Sequence, residues 1–142
     1  IYNNHTKYFL AGFSNDADLN VMIPGFGLFP TATSAFNAFK NPSNIEYVGN
    51  LETETDVSRI HRISESCPPR EDWDHIRESV MYIVLKYKFQ QHDTIRKNLL
   101  DTGLRRIVIR SADSFWGKLD TTGKNMLGKL LIKLRKEMYT SE

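Results

Sequence analysis

The residues best suited to chemistry lie together in Ser111-Ala112-Asp113-Ser114-Phe115-Trp116-Gly117, followed shortly by Gly123-Lys124-Asn125-Met126-Leu127-Gly128. A carboxylate such as Asp113 can stabilise developing positive charge or activate water. An indole such as that of Trp116 or Trp73 can stack on a flat ring, which is worth roughly 1–3 kcal/mol per base stacked. Gly123, Lys124 and Asn125 precede a helix, whose first N–H groups and dipole favour phosphate oxygens. Lys124 and Arg77 would add charge to such a phosphate. Each signal also has a plainer reading. Asp113 with Ser111 and Ser114 suits a helix or turn cap, and Trp116-Gly117 suits packing plus a turn. Gly123-Lys124-Asn125 matches no phosphate-loop pattern. Trp73 lies on an apolar helical stripe, where a core role serves at least as well as stacking, and Lys40 fits a solvated helix end. No metal signature is present, because His5, His61, His75 and His92 are scattered and Cys67 is alone.

These residues need elements to hold them. The alternating run Arg105-Arg106-Ile107-Val108-Ile109-Arg110 reads as a strand leading into the Asp113 loop. Met126, Leu127, Leu130, Leu131, Leu134 and Met138 mark a final helix, with Lys and Arg towards its C-terminal end, where the dipole favours them. Upstream, Trp73, Ile76, Val80, Ile83 or Val84, and Tyr87 recur at helical spacing after Glu71-Asp72. A shorter helix runs from Asp93 to Leu100 and stops at Asp101-Thr102-Gly103. Val57, Ile60 and Ile63 mark a modest helix that ends before Cys67-Pro68-Pro69. Thr31 after Pro30 can cap a helix from Ala32 to Lys40, and Asn41-Pro42-Ser43-Asn44 stops it. In residues 1–30, Tyr8-Phe9-Leu10 and Val21-Met22-Ile23 read as short strands between Gly and Pro turns.

The whole is expected to be a helix-rich α+β fold with a few short strands, forming a single domain over residues 1–142. A chain of 142 residues can bury one real core but is short for two. Its 40% apolar and 25% charged residues suit a globular protein. No apolar run approaches the ~20 residues that span a bilayer. A net charge of +2 with both signs mixed does not by itself call for nucleic acid. One cysteine excludes an internal disulfide framework and fits a reducing cytoplasm.

Several pieces then occur in order: Arg70-x-x-Trp73-Asp74-x-x-Arg77 before Val80-Met81, Lys88-Phe89, Leu99-Leu100-x-Thr102-Gly103, Asp113-x-x-Trp116-Gly117, and Gly123-Lys124-Asn125-x-Leu127-Gly128-x-Leu130-Leu131. In this the sequence resembles the NADAR family, a bacterial, phage and eukaryotic group linked to NAD and ADP-ribose metabolism. The likeness is dense from about Arg70 to Arg135 and thinner at Phe13-Ser14-Asn15 and Phe29-Pro30-Thr31.

The resemblance implies a compact α+β fold that cleaves N-glycosidic bonds to ribose, with no cofactor and no metal. The substrate it implies is an ADP-ribose or phosphoribose N-glycoside. One form is guanine ADP-ribosylated on DNA, and the other is a phosphoribosylamino-pyrimidine of riboflavin synthesis. It places the family's catalytic aspartate on Asp113, its active-site tryptophan on Trp73 and its WG pair on Trp116 and Gly117. Asn15, Lys40, Arg77, Trp116, Gly117, Gly123, Lys124 and Asn125 are the substrate-binding candidates. The family pattern aromatic-Pro-[Ser/Thr]-Val-Glu reads here Phe29-Pro30-Thr31-Ala32-Thr33, so the glutamate falls on Thr33. A threonine cannot act as a carboxylate base. The alternative reading is therefore a catalytically impaired module of the same fold that binds or sequesters ADP-ribose-containing nucleotides.

Overall fold

The computed structural model describes residues 2–3, 12–119 and 121–141, with Tyr2 and Asn3 described as strand only. The strand expected at Tyr8-Phe9-Leu10 lies outside the described residues. Two compact units emerge, one from residues 15–91 and one from the N-terminal 14 residues together with 92–142.

The unit of residues 15–91 is assembled around a short helix. Strands β2, Val21–Ile23, and β3, Gly27–Phe29, pair as a hairpin that feeds α1, Ala32–Ala38. The remaining helices are α2, Ile45–Thr53, α3, Val57–Ser64, and α4, Trp73–Gln91. Thr31 caps α1 by accepting from Ser34 N. All seven residues of α1 are buried, and the helix packs on α2, α3, α4 and both strands. Its polar groups are therefore bonded within the core, as burial requires. The Asn37 Nδ2 donates to Thr33 O at 2.9 Å, and Tyr47 OH reaches the carbonyls of Asn37 (3.0 Å) and Ser64 (3.2 Å).

The α2 helix was not legible as such. Asn44, read as part of a stop, is instead its cap and accepts from Tyr47 N at 3.1 Å. On α4 the buried stripe runs through Val80, Met81, Val84, Leu85, Lys88 and Phe89, and Ile83 points outward. The far end of α4 is held by paired amide bonds between Gln91 and the Met22 backbone, at 2.7 and 2.8 Å.

The other unit holds α5, Asp93–Asp101, β4, Ile107–Val108, and α6, Met126–Ser141. A two-residue strand β1, Tyr2–Asn3, pairs antiparallel with β4. Arg135, buried on α6, donates to Thr102 Oγ1 at 2.8 Å and to Arg105 O at 2.7 Å, which ties α5 and the following loop to the helix. Helix α6 continues to Ser141, so its last turn carries no basic side chain. The Lys and Arg expected at that end sit a turn earlier, because Tyr139, Thr140 and Ser141 extend the helix past Lys136. Among the described residues, six helices and four short strands make a helix-rich α+β fold.

Candidate active-site residues in each unit

In the unit with α6, the Asp113 loop is a fixed turn. Asp113 Oδ1 accepts from Phe115 N (2.9 Å) and Trp116 N (3.0 Å), and its own N–H donates to Ser111 Oγ at 3.1 Å. The cap reading of Asp113 is thus realised in its geometry. The residue is nevertheless exposed, and those two bonds involve only Oδ1. Phe115 and Trp116 pack edge to face at 4.7 Å, and Lys124 Nζ lies 5.6 Å from the Phe115 ring centre.

Gly117 is required by close approach. A Cβ there would lie 2.5 Å from Ser111 Cβ and 2.8 Å from Ile109 O. Gly123 has φ +115, a backbone that L side chains rarely adopt. The start of α6 differs from the phosphate-binding expectation. The N–H groups of Lys124, Asn125, Met126 and Leu127 donate to the carbonyls of Ser114, Gly117, Phe115 and Trp116 at 2.8–3.0 Å. Those donors are therefore engaged by the loop, and a phosphate at this helix start would have to compete with four carbonyls. Asn125 is likewise engaged: buried, with φ 52, it accepts from Ile109 N at 2.8 Å and donates to Ile107 O at 2.9 Å. Its amide binds β4 to α6. Of the α6-side candidates, Asp113 is exposed and Trp116 is half-buried.

In the unit of residues 15–91, α1 gathers the other candidates. Thr33, Phe36 and Asn37 lie along it, and Lys40 follows in the turn after the helix, which ends at Ala38 rather than at the expected Lys40. Trp73 is only 6% exposed and tilts against Phe36 at 5.0 Å, so its ring acts chiefly as a packed wall. Lys40 Nζ stands 6.0 Å from the Trp73 ring centre, within cation–π range. Partial burial lowers the Lys40 pKa, and Glu65 works against that shift. Arg77 lies one turn beyond Trp73, half-buried. Asn15 donates weakly to Met81 Sδ at 3.6 Å, its carbonyl accepts from Thr33 N at 3.0 Å, and its Oδ1 is buried with no partner among the described residues.

The sequence leaves open whether another carboxylate, such as Asp16, Asp18 or Glu46, takes the place of the missing glutamate, and the group that Thr33 meets is Asp16. Thr33 Oγ1 donates to Asp16 Oδ1 at 2.6 Å. His61 Nε2 faces the same carboxylate at 3.3 and 3.4 Å from its two oxygens. Lys88 on α4 is fully buried, and desolvation lowers its pKa to about 8 against the attraction of Asp16. A buried ammonium beside a partly exposed carboxylate is the kind of environment found at functional sites. One signal was readable: Lys88 is a charged residue at a stripe position four after Val84, where the apolar pattern calls for a hydrophobe. Nothing in the sequence set Asp16 apart from Asp18 and Glu46, since acids near Asn occur in ordinary turns.

The NADAR domain profile matches residues 4–139. The chain belongs to the NADAR family. It is 32% identical over 130 residues to the N-glycosidase YbiA of Shigella flexneri, covering 89% of this chain and 80% of that protein. A chloroplastic riboflavin biosynthesis protein of Arabidopsis thaliana is 30% identical over 141 residues, covering 94% of this chain and 23% of that one. The NMR structure of the E. coli protein YbiA superposes with a TM-score of 0.83 at 30% identity, over 99% of this chain and 84% of that one. The fold is that of a NADAR protein, and the names of the YbiA relatives support a hydrolase acting on N-glycosyl bonds. Among the described residues, no helix is long and apolar enough to cross a membrane.

Proposed function

We propose that this chain hydrolyses the N-glycosidic bond between a ribose and a nitrogen base, with an ADP-ribosylated base such as guanine in DNA, or a phosphoribosylamino compound, as substrate. The observation that carries the reading is the family match over residues 4–139, together with relatives named N-glycosidases. Cleavage of such a bond passes through an oxocarbenium-like state, by analogy with glycoside hydrolysis, and a carboxylate stabilises the positive charge that develops. Asp113 is assigned that role, since its carboxylate is exposed while the turn fixes its position. Trp116 and Lys124 are assigned to the ligand's flat ring and phosphate charge.

The phosphoribosylamino class draws support from the riboflavin relative and from the engaged N–H groups at the start of α6. A substrate with one phosphate asks less of that helix than a pyrophosphate does. The binding-module alternative rests on Thr33, which lacks a carboxylate of its own.

The test is direct incubation with an oligonucleotide carrying ADP-ribosylguanine and, separately, with the phosphoribosylamino-pyrimidine, followed by chromatography of the released sugar phosphate. Turnover of either supports the hydrolase. Calorimetric binding of ADP-ribose without turnover of either supports the module instead. Asp113→Asn keeps a carbonyl oxygen to accept from Phe115 and Trp116 while removing the charge. Its turnover should fall about 100-fold or more, with melting temperature little changed, as for loss of a group that acts in the transition state.

A further inference from the structure

We infer that Asp16 is a catalytic residue of this chain, supplying from a different backbone position the carboxylate that position 33 lacks. The inference rests on the N-glycosidase reading and deepens it.

Geometry carries the argument. A glutamate at position 33 would hold its carboxyl carbon two bonds beyond Cβ, roughly 2.5 Å out at ~1.5 Å per carbon–carbon bond. The hydroxyl of Thr33 instead stops one bond from Cβ and grips Asp16 Oδ1 at 2.6 Å. The acidic group therefore sits beyond the threonine, in the region that a longer acidic side chain there would reach. The backbone fixes the pair as well, because Thr33 N donates to Asn15 O at 3.0 Å, which pins residue 15 to the first turn of α1.

Asp16 is also arranged as a working carboxylate rather than a surface one. Thr33 holds one oxygen from a buried position, His61 faces both oxygens, and the fully buried Lys88 attracts it from α4. Its side chain is still 40% exposed, so water and ligand can reach it. A buried lysine is costly to keep in an apolar helix stripe. A purely structural role at that position would be served at less cost by leucine or methionine.

In the reaction, the oxygen of a water forms a bond to ribose C1′ as the C1′–N bond breaks, and the bonding pair leaves on the nitrogen. Asp16 takes one proton from that water. The proton then passes through solvent to the departing nitrogen, which regenerates the carboxylate. The products are the 1-hydroxyl sugar and the N–H base, and no oxidant or reductant is involved.

The deciding comparison uses the full chain and whichever N-glycoside the wild type hydrolyses. Asp16→Asn should lower kcat by about 100-fold or more with KM within about threefold, the size expected for loss of a general base. The double variant Asp16→Ala, Thr33→Glu returns a carboxylate to position 33 and should recover kcat to within about tenfold of wild type. If Asp16 serves only as counter-ion to Lys88, Asp16→Asn will melt at lower temperature yet keep its kcat per folded molecule, and the inference is overturned while the N-glycosidase reading stands. If Asp16→Asn does not fold, the double variant decides: activity supports the inference, and a folded but inactive double variant overturns it. A wild type inactive on both N-glycosides overturns the parent reading, and the inference falls with it.

Discussion

Replacing Lys88 by methionine should stabilise this protein, and by an amount that depends on pH in a defined way. Lys88 is fully buried, and its pKa falls from 10.5 to about 8 through desolvation that the attraction of Asp16 only partly offsets. The difference of about 2.5 units corresponds to about 3 kcal/mol, at 1.36 kcal/mol per unit. Because the folded pKa lies below the unfolded one, the unfolded chain binds more protons between pH 8 and 10.5, and stability rises with pH through that window. Below about pH 8 the full cost is present; above 10.5 it is gone. Methionine has a similar length and no charge, so Lys88→Met should gain up to about 3 kcal/mol at pH 7, or about 10 °C in Tm for a chain of this size. The gain should shrink towards zero by pH 10.5. Tyr47 works in the opposite sense, since burial raises its pKa to about 12 and stability from that group is lost as pH climbs from 10 through 12. Both proteins contain Tyr47, so its effect cancels in the difference between them. Urea titrations of the two at half-unit steps from pH 6 to 11 measure that difference. A variant less stable than wild type at pH 7, or a difference that stays flat with pH, would refute the electrostatic account of Lys88.

Substitutions at two further positions test the α6 side. Asn125→Ala removes both buried amide bonds to β4 and places alanine at φ 52, so unfolding free energy should drop by about 2–4 kcal/mol in urea. Asn125→Gly, which accepts that backbone, should lose less. Gly117→Ala pushes a methyl into Ser111 and the Ile109 carbonyl, and should cost about 1–3 kcal/mol, with amide chemical-shift changes centred on residues 109–118.

Much of the helical content could be read from spacing, and what escaped has a physical explanation. Helix α4 announced itself because Trp73, Val80 and Val84 share a face, and α1 because Thr31 stands where a cap must. Helix α2 stayed hidden because Asn44 caps a helix with the same side-chain oxygen that would break one, and Ile45 is 89% exposed, so its apolar residues do not all mark the buried face. Strand β4 was visible from its alternation, but its partner β1 is two residues long and paired across about a hundred positions, which no local pattern encodes. At the candidate sites the residue types were readable and their engagements were not. Asn125 stood among the substrate-binding candidates, and long-range backbone bonds occupy its side chain. Asp16 was one of three acids, with Asp18 and Glu46, that could replace the missing carboxylate, and only the fold brings it to Thr33.

The bonds between residues 124–127 and the 114–117 carbonyls have a consequence for motion. Amides in the first turn of a helix ordinarily lack internal partners and exchange with solvent first. Here those of Lys124, Asn125, Met126 and Leu127 are all held by the segment that follows Asp113. The loop cannot swing away without breaking those four bonds, so its opening is coupled to exposure of these amides. Deuterium uptake at amides 124–127 therefore reports on the Asp113 loop, and a ligand that orders that loop should slow exchange at the first two residues of the helix as well.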